Sequence, residues 1–249
     1  MNNKKLVFSY DWKNNKFQSL NNINEQNNIY TINELNIIDE NIIEDNNYLL
    51  KQEQEQEQIK YIFTVDWFSR NIPAWTHYLK ELKNKPNLNF LEIGSFQGRS
   101  TVWLLENILT DDTSKITCID TFEGSEEHIT NFSEHIKNLY DVFMHNISKF
   151  KDKVIIKKNK SQIILKQLIE TYDFIYIDGD HKASSVLEDA VLSFSLLKSG
   201  GIMIFDDYLW FAMKKYIDNP KSAIDAFLEI YSDKINILFK DYQVIIEKI

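Results

Sequence analysis

The sequence predicts an α/β fold: a seven-stranded, mostly parallel sheet with helices on both faces, closed by a C-terminal antiparallel hairpin. Three observations carry that expectation. From Asn89 onward, short apolar runs alternate with longer segments of helical periodicity, the pattern of crossover units in a parallel sheet. The alternation stops near the end, where only a short polar link separates the apolar runs 234–239 and 243–247. Strands so joined pair antiparallel. A chain that is 43% hydrophobic and 13% aromatic also has the apolar surface to fill such a core.

Taken in order, residues 1–58 stand apart. They are rich in Asn, Gln, Glu and Ile and end in an alternating Gln–Glu run, a composition that buries little apolar surface. The apolar islands Leu6-Val7-Phe8, Ile29-Tyr30 and Ile42-Ile43 leave room for short strands or a helix. No chemistry is assigned to this extension, and residues 59–249 form the main domain. There, Asp66 is expected to cap a helix through Trp67, Trp75, Tyr78 and Leu82, with Pro73 disturbing its first turns. After a break at 85–87, the strands are predicted at 89–93, 115–120, 154–157, 173–178 and 201–205. The helices lie at 99–109, then through Leu165 and Ile169, then at 183–197 and 222–231, and the closing hairpin follows.

Composition narrows the function classes. The formal net charge is −9, which argues against binding a phosphate backbone, since that affinity comes from Lys and Arg. Cys118 is the single cysteine, so neither an intramolecular disulfide nor a multi-cysteine zinc site can form. Its apolar surroundings predict a buried strand residue. No apolar run approaches the ~20 residues that span a bilayer, and the N-terminus lacks a signal-peptide core. The expectation is a soluble cytoplasmic protein, with neither nucleic acid nor membrane as a partner; homo-oligomerisation stays open.

The segment Glu92-Ile93-Gly94-Ser95-Phe96-Gln97-Gly98-Arg99-Ser100 joins the first main-domain strand to its helix. In open α/β sheets, ligands bind beyond the carboxyl ends of the strands. Gly94 permits a tight turn and Gly98 a close helix start, and the helix N-terminus with Ser100 suits a carboxylate. The two glycines are four apart, without the middle glycine of a dinucleotide fingerprint, so the loop suits a ligand lacking a pyrophosphate. Asp120 ends the next strand, where a carboxylate can accept both hydroxyls of a ribose. A purely structural turn and a solvated strand-end acid are the plainer alternatives.

Glu92 to Gly98 resembles motif I of the class I methyltransferases, and Asp120 resembles the acid of their second motif. The likeness is greatest to the metal-dependent O-methyltransferases, the catechol and macrocin-type sugar groups, and runs from about Asn89 to Asp207. It implies a Rossmann-like sheet and S-adenosylmethionine as cofactor. Glu92, Gly94, Ser95 and Gly98 would shape the methionine side and Ser100 would bind its carboxylate. Asp120 and the adjacent Thr121 would take the ribose. Ser161-Gln162 resembles the adenine-side pair of the family, although Ser161 serves equally well as a helix cap.

The fourth parallel strand ends Asp178-Gly179-Asp180-His181 and the fifth Asp206-Asp207. Neighbouring strands would converge Asp178, Asp206 and Asp207. Carboxylates so placed hold a cation or share protons, and hard oxygen donors favour Mg²⁺ or a similar ion. Such an ion lowers the pKa of a bound hydroxyl, and His181 has the basicity to take the proton near neutral pH. Asp180 reads as a helix cap, and His181 as a capping or packing residue is the blander alternative. By resemblance, His181 matches the base of macrocin-type enzymes, where catechol-type enzymes carry Lys. Asp206-Asp207 departs from the catechol-type Asp-Asn. The implied substrate is a small hydroxylated acceptor, with sugars or polyols favoured, and Asp178 would also touch the cofactor. Trp67, Trp75, Trp210, Phe211 and Tyr208 are candidate walls of the acceptor pocket, and 123–128 a candidate ligand-side loop. A NAD-linked oxidoreductase and a non-catalytic cofactor-binding module are the rivals.

Overall fold

The computed structural model describes residues 8–11, 16–19, 60–124 and 137–249. The chain divides into two compact units, Met1–Glu57 and Gln58–Ile249. In the first, β1 (Phe8–Asp11) and β2 (Lys16–Ser19) pair antiparallel, Phe8 opposite Ser19. The islands at 29–30 and 42–43 lie outside the described residues.

The second unit is built on seven strands: β3 (Asn89–Ile93), β4 (Lys115–Asp120), β5 (Val154–Lys158), β6 (Tyr172–Ile177), β7 (Leu197–Phe205), β8 (Ile235–Lys240) and β9 (Val244–Lys248). Their order is β5-β4-β3-β6-β7-β9-β8, with β9 antiparallel to both of its neighbours. Chain direction across the sheet reverses at β3, whose neighbours are β4 and β6. Four of the five residues of β3 are buried, as a central strand covered on both faces requires.

Alternate strand residues feed two cores. On one face, Leu91, Ile175, Met203 and Phe205 pack beneath α4 (Ser161–Leu165), α5 (Ala183–Phe194) and α6 (Pro220–Ile230). On the other, Phe90, Cys118, Phe174 and Ile204 pack beneath α1 (Ile72–Tyr78), α2 (Arg99–Asn107) and α3 (Leu139–Asn146). Cys118 is fully buried.

Three expectations need correction. The helix after β5 ends at Leu165, leaving Ile169 90% exposed. The single helix foreseen between Trp67 and Leu82 is α1 flanked by two short 3₁₀ turns; Pro73 sits in its first turn, where a missing N–H costs nothing. Asp66, expected to cap that helix, instead accepts the Ser69 amide at 2.9 Å at the start of the first turn. Helix α3, with Leu139, Phe143 and Asn146 on its buried face, was not foreseen.

Residues 60–67 form a strap along the glycine loop. The Asn146 carboxamide accepts the Ile62 amide at 2.7 Å and donates to the Ile62 carbonyl at 2.9 Å and the Gln97 carbonyl at 2.8 Å. Gln97 accepts the Thr64 amide and donates to its hydroxyl, each at 2.8 Å. Two buried carboxamides thus do for the strap what a neighbouring strand would do.

Candidate active site

The carboxyl ends of β3, β6 and β7 lie level, because Ile93 pairs with Ile177 and Ile177 with Phe205. The residues one step beyond are Gly94, Asp178 and Asp206. Gly94 has φ +85°, and a Cβ there would stand 1.8 Å from the Asp178 carbonyl oxygen. Only glycine lets these two loops meet. Gly98, with φ +80°, caps α2 and abuts the Phe143 ring.

Two cavities open on this edge, and both touch Gly94, Phe96, Asp178 and Gly179. The first, of about 360 Å³, is lined by Asp120, Thr121, Ser161 and Gln162. The second, of about 410 Å³, is lined by Ser95, Ser100, His181, Asp206 and Asp207. Its walls come from the strap (Phe63, Val65, Trp67) and from Phe68, Trp210 and Tyr242.

Asp120 has local work. Its Oδ2 accepts the Phe96 amide at 2.8 Å and its Oδ1 the Phe122 amide at 2.6 Å. Both phenylalanines have positive φ, 47° and 55°, a conformation costly for such residues. The carboxylate therefore holds two strained turns while facing the smaller cavity. Gln162 donates to Asp189 at 3.0 Å. Burial raises the Asp189 carboxyl to about 7.

Glu92 lines neither cavity; it is fully buried beneath α2. Ser100 and Thr101 donate their hydroxyls to it, and burial raises its pKa despite them. The Ser100 hydroxyl is accordingly turned down to Glu92 rather than out to a ligand.

At the other end, the Tyr176 hydroxyl lies between two acids, 2.9 Å from Asp178 and in hydrogen-bond contact with Asp206, and its one proton serves one of them at a time. Gln243 also donates to Asp206, at 2.9 Å, and accepts the Trp75 indole N–H at 2.7 Å. Asp207, at φ +58°, pairs with His181 at 2.9 Å and accepts the Tyr242 hydroxyl at 2.9 Å. One donor atom each from Asp178, His181 and Asp207 lies within 4.8 Å of the others. Of the three acids expected to converge, Asp206 is thus turned toward Tyr176 and Gln243, and His181 completes the triad instead.

The electrostatics follow. Burial, then the neighbouring Asp206 and Asp207, hold the Asp178 carboxyl well above its ordinary range. Burial and Asp207 raise Asp206 to about 6. Burial pushes Asp207 up too, but His181, Tyr242 and Arg70 outweigh it and keep Asp207 low. The cluster can hold a proton or a cation in a small volume.

Trp67 and Trp210 line the larger cavity as expected, Trp210 packing on the His181 ring at 4.7 Å. Trp75 is fully buried in the core, Tyr208 is bound to Asp225 at 2.8 Å, and Phe211 is 52% exposed; none of the three is a wall. The proposed loop 123–128 lies outside the described residues beyond Gly124. Tyr176, Tyr242, Gln243 and Arg70 were missed. Tyr176 had a legible signal, since it stands two residues before Asp178 and so shares its strand face.

Residues 91–208 match the family model described as a methyltransferase domain. An uncharacterized protein of Acanthamoeba polyphaga mimivirus is 29% identical over 161 residues, 61% of this chain and 66% of that protein, so the match spans just under two thirds of its length. Among solved structures, a Bacillus cereus O-methyltransferase in complex with SAH aligns with TM-score 0.53 at 17% identity, covering 86% of this chain and 93% of that one. The methyltransferase MycE of mycinamycin biosynthesis, in complex with Mg, SAH and mycinamycin VI, aligns with TM-score 0.51 at 15% identity, covering 85% and 63%. At such identities the structural likeness speaks to the fold.

Proposed function

We propose that this chain, whose residues 91–208 match a methyltransferase-domain model, is a class I, S-adenosylmethionine-dependent methyltransferase that methylates a hydroxyl of a small molecule, with His181 as general base. The observation that carries the reading is the His181–Asp207 pair facing a cavity that adjoins the glycine loop.

S-adenosylmethionine supplies, when bound, a methyl group on a sulfonium that an oxygen nucleophile can attack. The chain's part is to bind, orient and deprotonate. The smaller cavity suits the nucleoside, with Asp120 and Thr121 toward the ribose and Ser161 and Gln162 toward the base. Asp189 fixes the Gln162 carboxamide. Gly94 and Ser95 bring the backbone close to the methionine side, and Gly98 lets α2 begin there. Glu92 supports the loop from beneath, and Asp178 stands where the two cavities meet.

Asp207 faces Nε2 of His181, so the imidazolium formed on proton uptake is stabilised by a carboxylate held ionised. The aromatic walls, Phe63, Trp67, Trp210 and Tyr242, suit the face of a sugar, polyol or phenolic ring. The donors of Asp178 and Asp207, with the charge of Asp206 behind Tyr176, fit a hard divalent cation such as Mg²⁺, which would lower the pKa of an acceptor hydroxyl. The buried, mutually repelling carboxylates support that fit.

The test is calorimetric titration of S-adenosylmethionine with Mg²⁺ and with EDTA, followed by turnover of sugar and phenol acceptors. Cofactor binding in both and turnover only with the metal is the expected result. His181→Gln should slow the chemical step roughly 10²–10⁴-fold and leave cofactor affinity in place. Turnover at the wild-type rate would remove His181 from the mechanism. The three-donor cluster favours a second reading, in which His181 ligates the cation. In that case His181→Gln activity would return at high metal concentration; a base cannot be so rescued.

A further inference from the structure

We propose that Arg99 anchors the carboxylate of the methionine moiety, a role the Ser100 hydroxyl cannot take while it serves Glu92. The inference rests on the cofactor reading above. The nucleoside cavity and the larger cavity meet at Gly94 and Gly179. A methionine tail leaving the nucleoside cavity therefore enters the larger one beside Ser95, Ser100 and Arg99. A carboxylate arriving there meets the N-terminus of α2 and gains further from a cation.

Two arginines line that cavity. The Arg70 guanidinium lies over the Tyr242 ring, 3.5 Å from its centroid, and Tyr242 belongs to the acid cluster through Asp207. Arg99 opens α2, directly after the glycine loop. Its guanidinium lies 4.4 Å from the Phe63 ring centroid, so the strap fixes its plane. Its Nη1 stands 3.4 Å from Asp66, whose side chain is 45% exposed, a long and solvent-screened pair. Asp66 meanwhile serves the Ser69 amide. The Nε–H of Arg99 is buried and, among the described residues, has no hydrogen-bond partner. An unmet buried donor of this kind calls for an acceptor. Nε–H with the adjacent Nη–H forms the parallel pair that a carboxylate accepts in bidentate fashion.

The experiment titrates S-adenosylhomocysteine and its decarboxylated analogue into the full-length wild type, Arg99→Met and Arg99→Lys. The wild type should prefer S-adenosylhomocysteine by roughly 10- to 100-fold, the worth of a charged bidentate contact. Arg99→Met should erase that preference and bind the decarboxylated analogue as the wild type does. Arg99→Lys should keep part of it, because it keeps charge but loses the fork. If Arg99→Met weakens both ligands by the same factor, or neither, the assignment is overturned. If neither ligand binds the wild type, the cofactor reading itself falls and the inference with it, an outcome distinct from a carboxylate-blind Arg99→Met.

Discussion

At the scale of single residues, Gly94 and Asp189 make opposite kinds of demand. Gly94→Ala places a methyl against the Asp178 backbone at positive φ and should cost about 2 kcal/mol or more, read as a lowered urea midpoint. Asp189 is nearly fully buried, with its carboxyl raised to about 7. Its folded pKa exceeds the unfolded 3.8, so the folded state binds the extra proton between those values. That contribution is complete below the unfolded value and is lost as pH climbs through about 7. Asp189→Asn should therefore gain stability relative to wild type as pH rises across the window, then level off. Urea midpoints at acidic and mildly alkaline pH check it, and a pH-independent difference would sink it. Gly94 was legible in the sequence because its demand is local. Asp189 was not, since one acid in a helix says nothing of the glutamine it will meet 27 positions away.

At the scale of elements, the strap depends on two side chains rather than on its own composition. Asn146 is fully buried and spends three hydrogen bonds on Ile62 and Gln97. Asn146→Leu, near-isosteric, leaves those backbone groups unmet and should cost about 2–4 kcal/mol. It should also speed amide exchange at Ile62 and Thr64 ahead of the sheet. Equal protection in both proteins would mean the strap is held by its apolar residues alone. The parallel strands were readable because a strand covered on both faces is a continuous apolar run. The hairpin was readable because a short link admits one geometry. Helix α3 escaped because it is one eight-residue segment, and the Asn146 on its buried face reads in sequence as a polar surface position.

At the scale of the whole domain, the larger cavity is drawn from five stretches of chain: residues 63–70, the loops after β3, β6 and β7, and the β8–β9 turn. The sequence placed Asp178, Asp206 and Asp207 on one edge, because parallel strands end together. It could not show that Asp206 would face Tyr176 and Gln243, since side-chain direction at a strand end depends on partners from distant elements. A cluster of like charges held in place by the fold should gain from a counter-ion. Added Mg²⁺ should raise the melting midpoint of the wild type, by mass action, and leave Asp178→Asn unmoved; equal shifts would place the ion elsewhere. The hydrogen bonds from Tyr242 and Gln243 to the two acids also impose an order in time. These residues join β8 to β9, the last elements of the domain to leave the ribosome, so the nascent sheet must carry its acid edge without its final two donors. Completion of the acid edge is thereby tied to the hairpin, and a chain that has not yet closed it would leave Asp206 and Asp207 each one donor short.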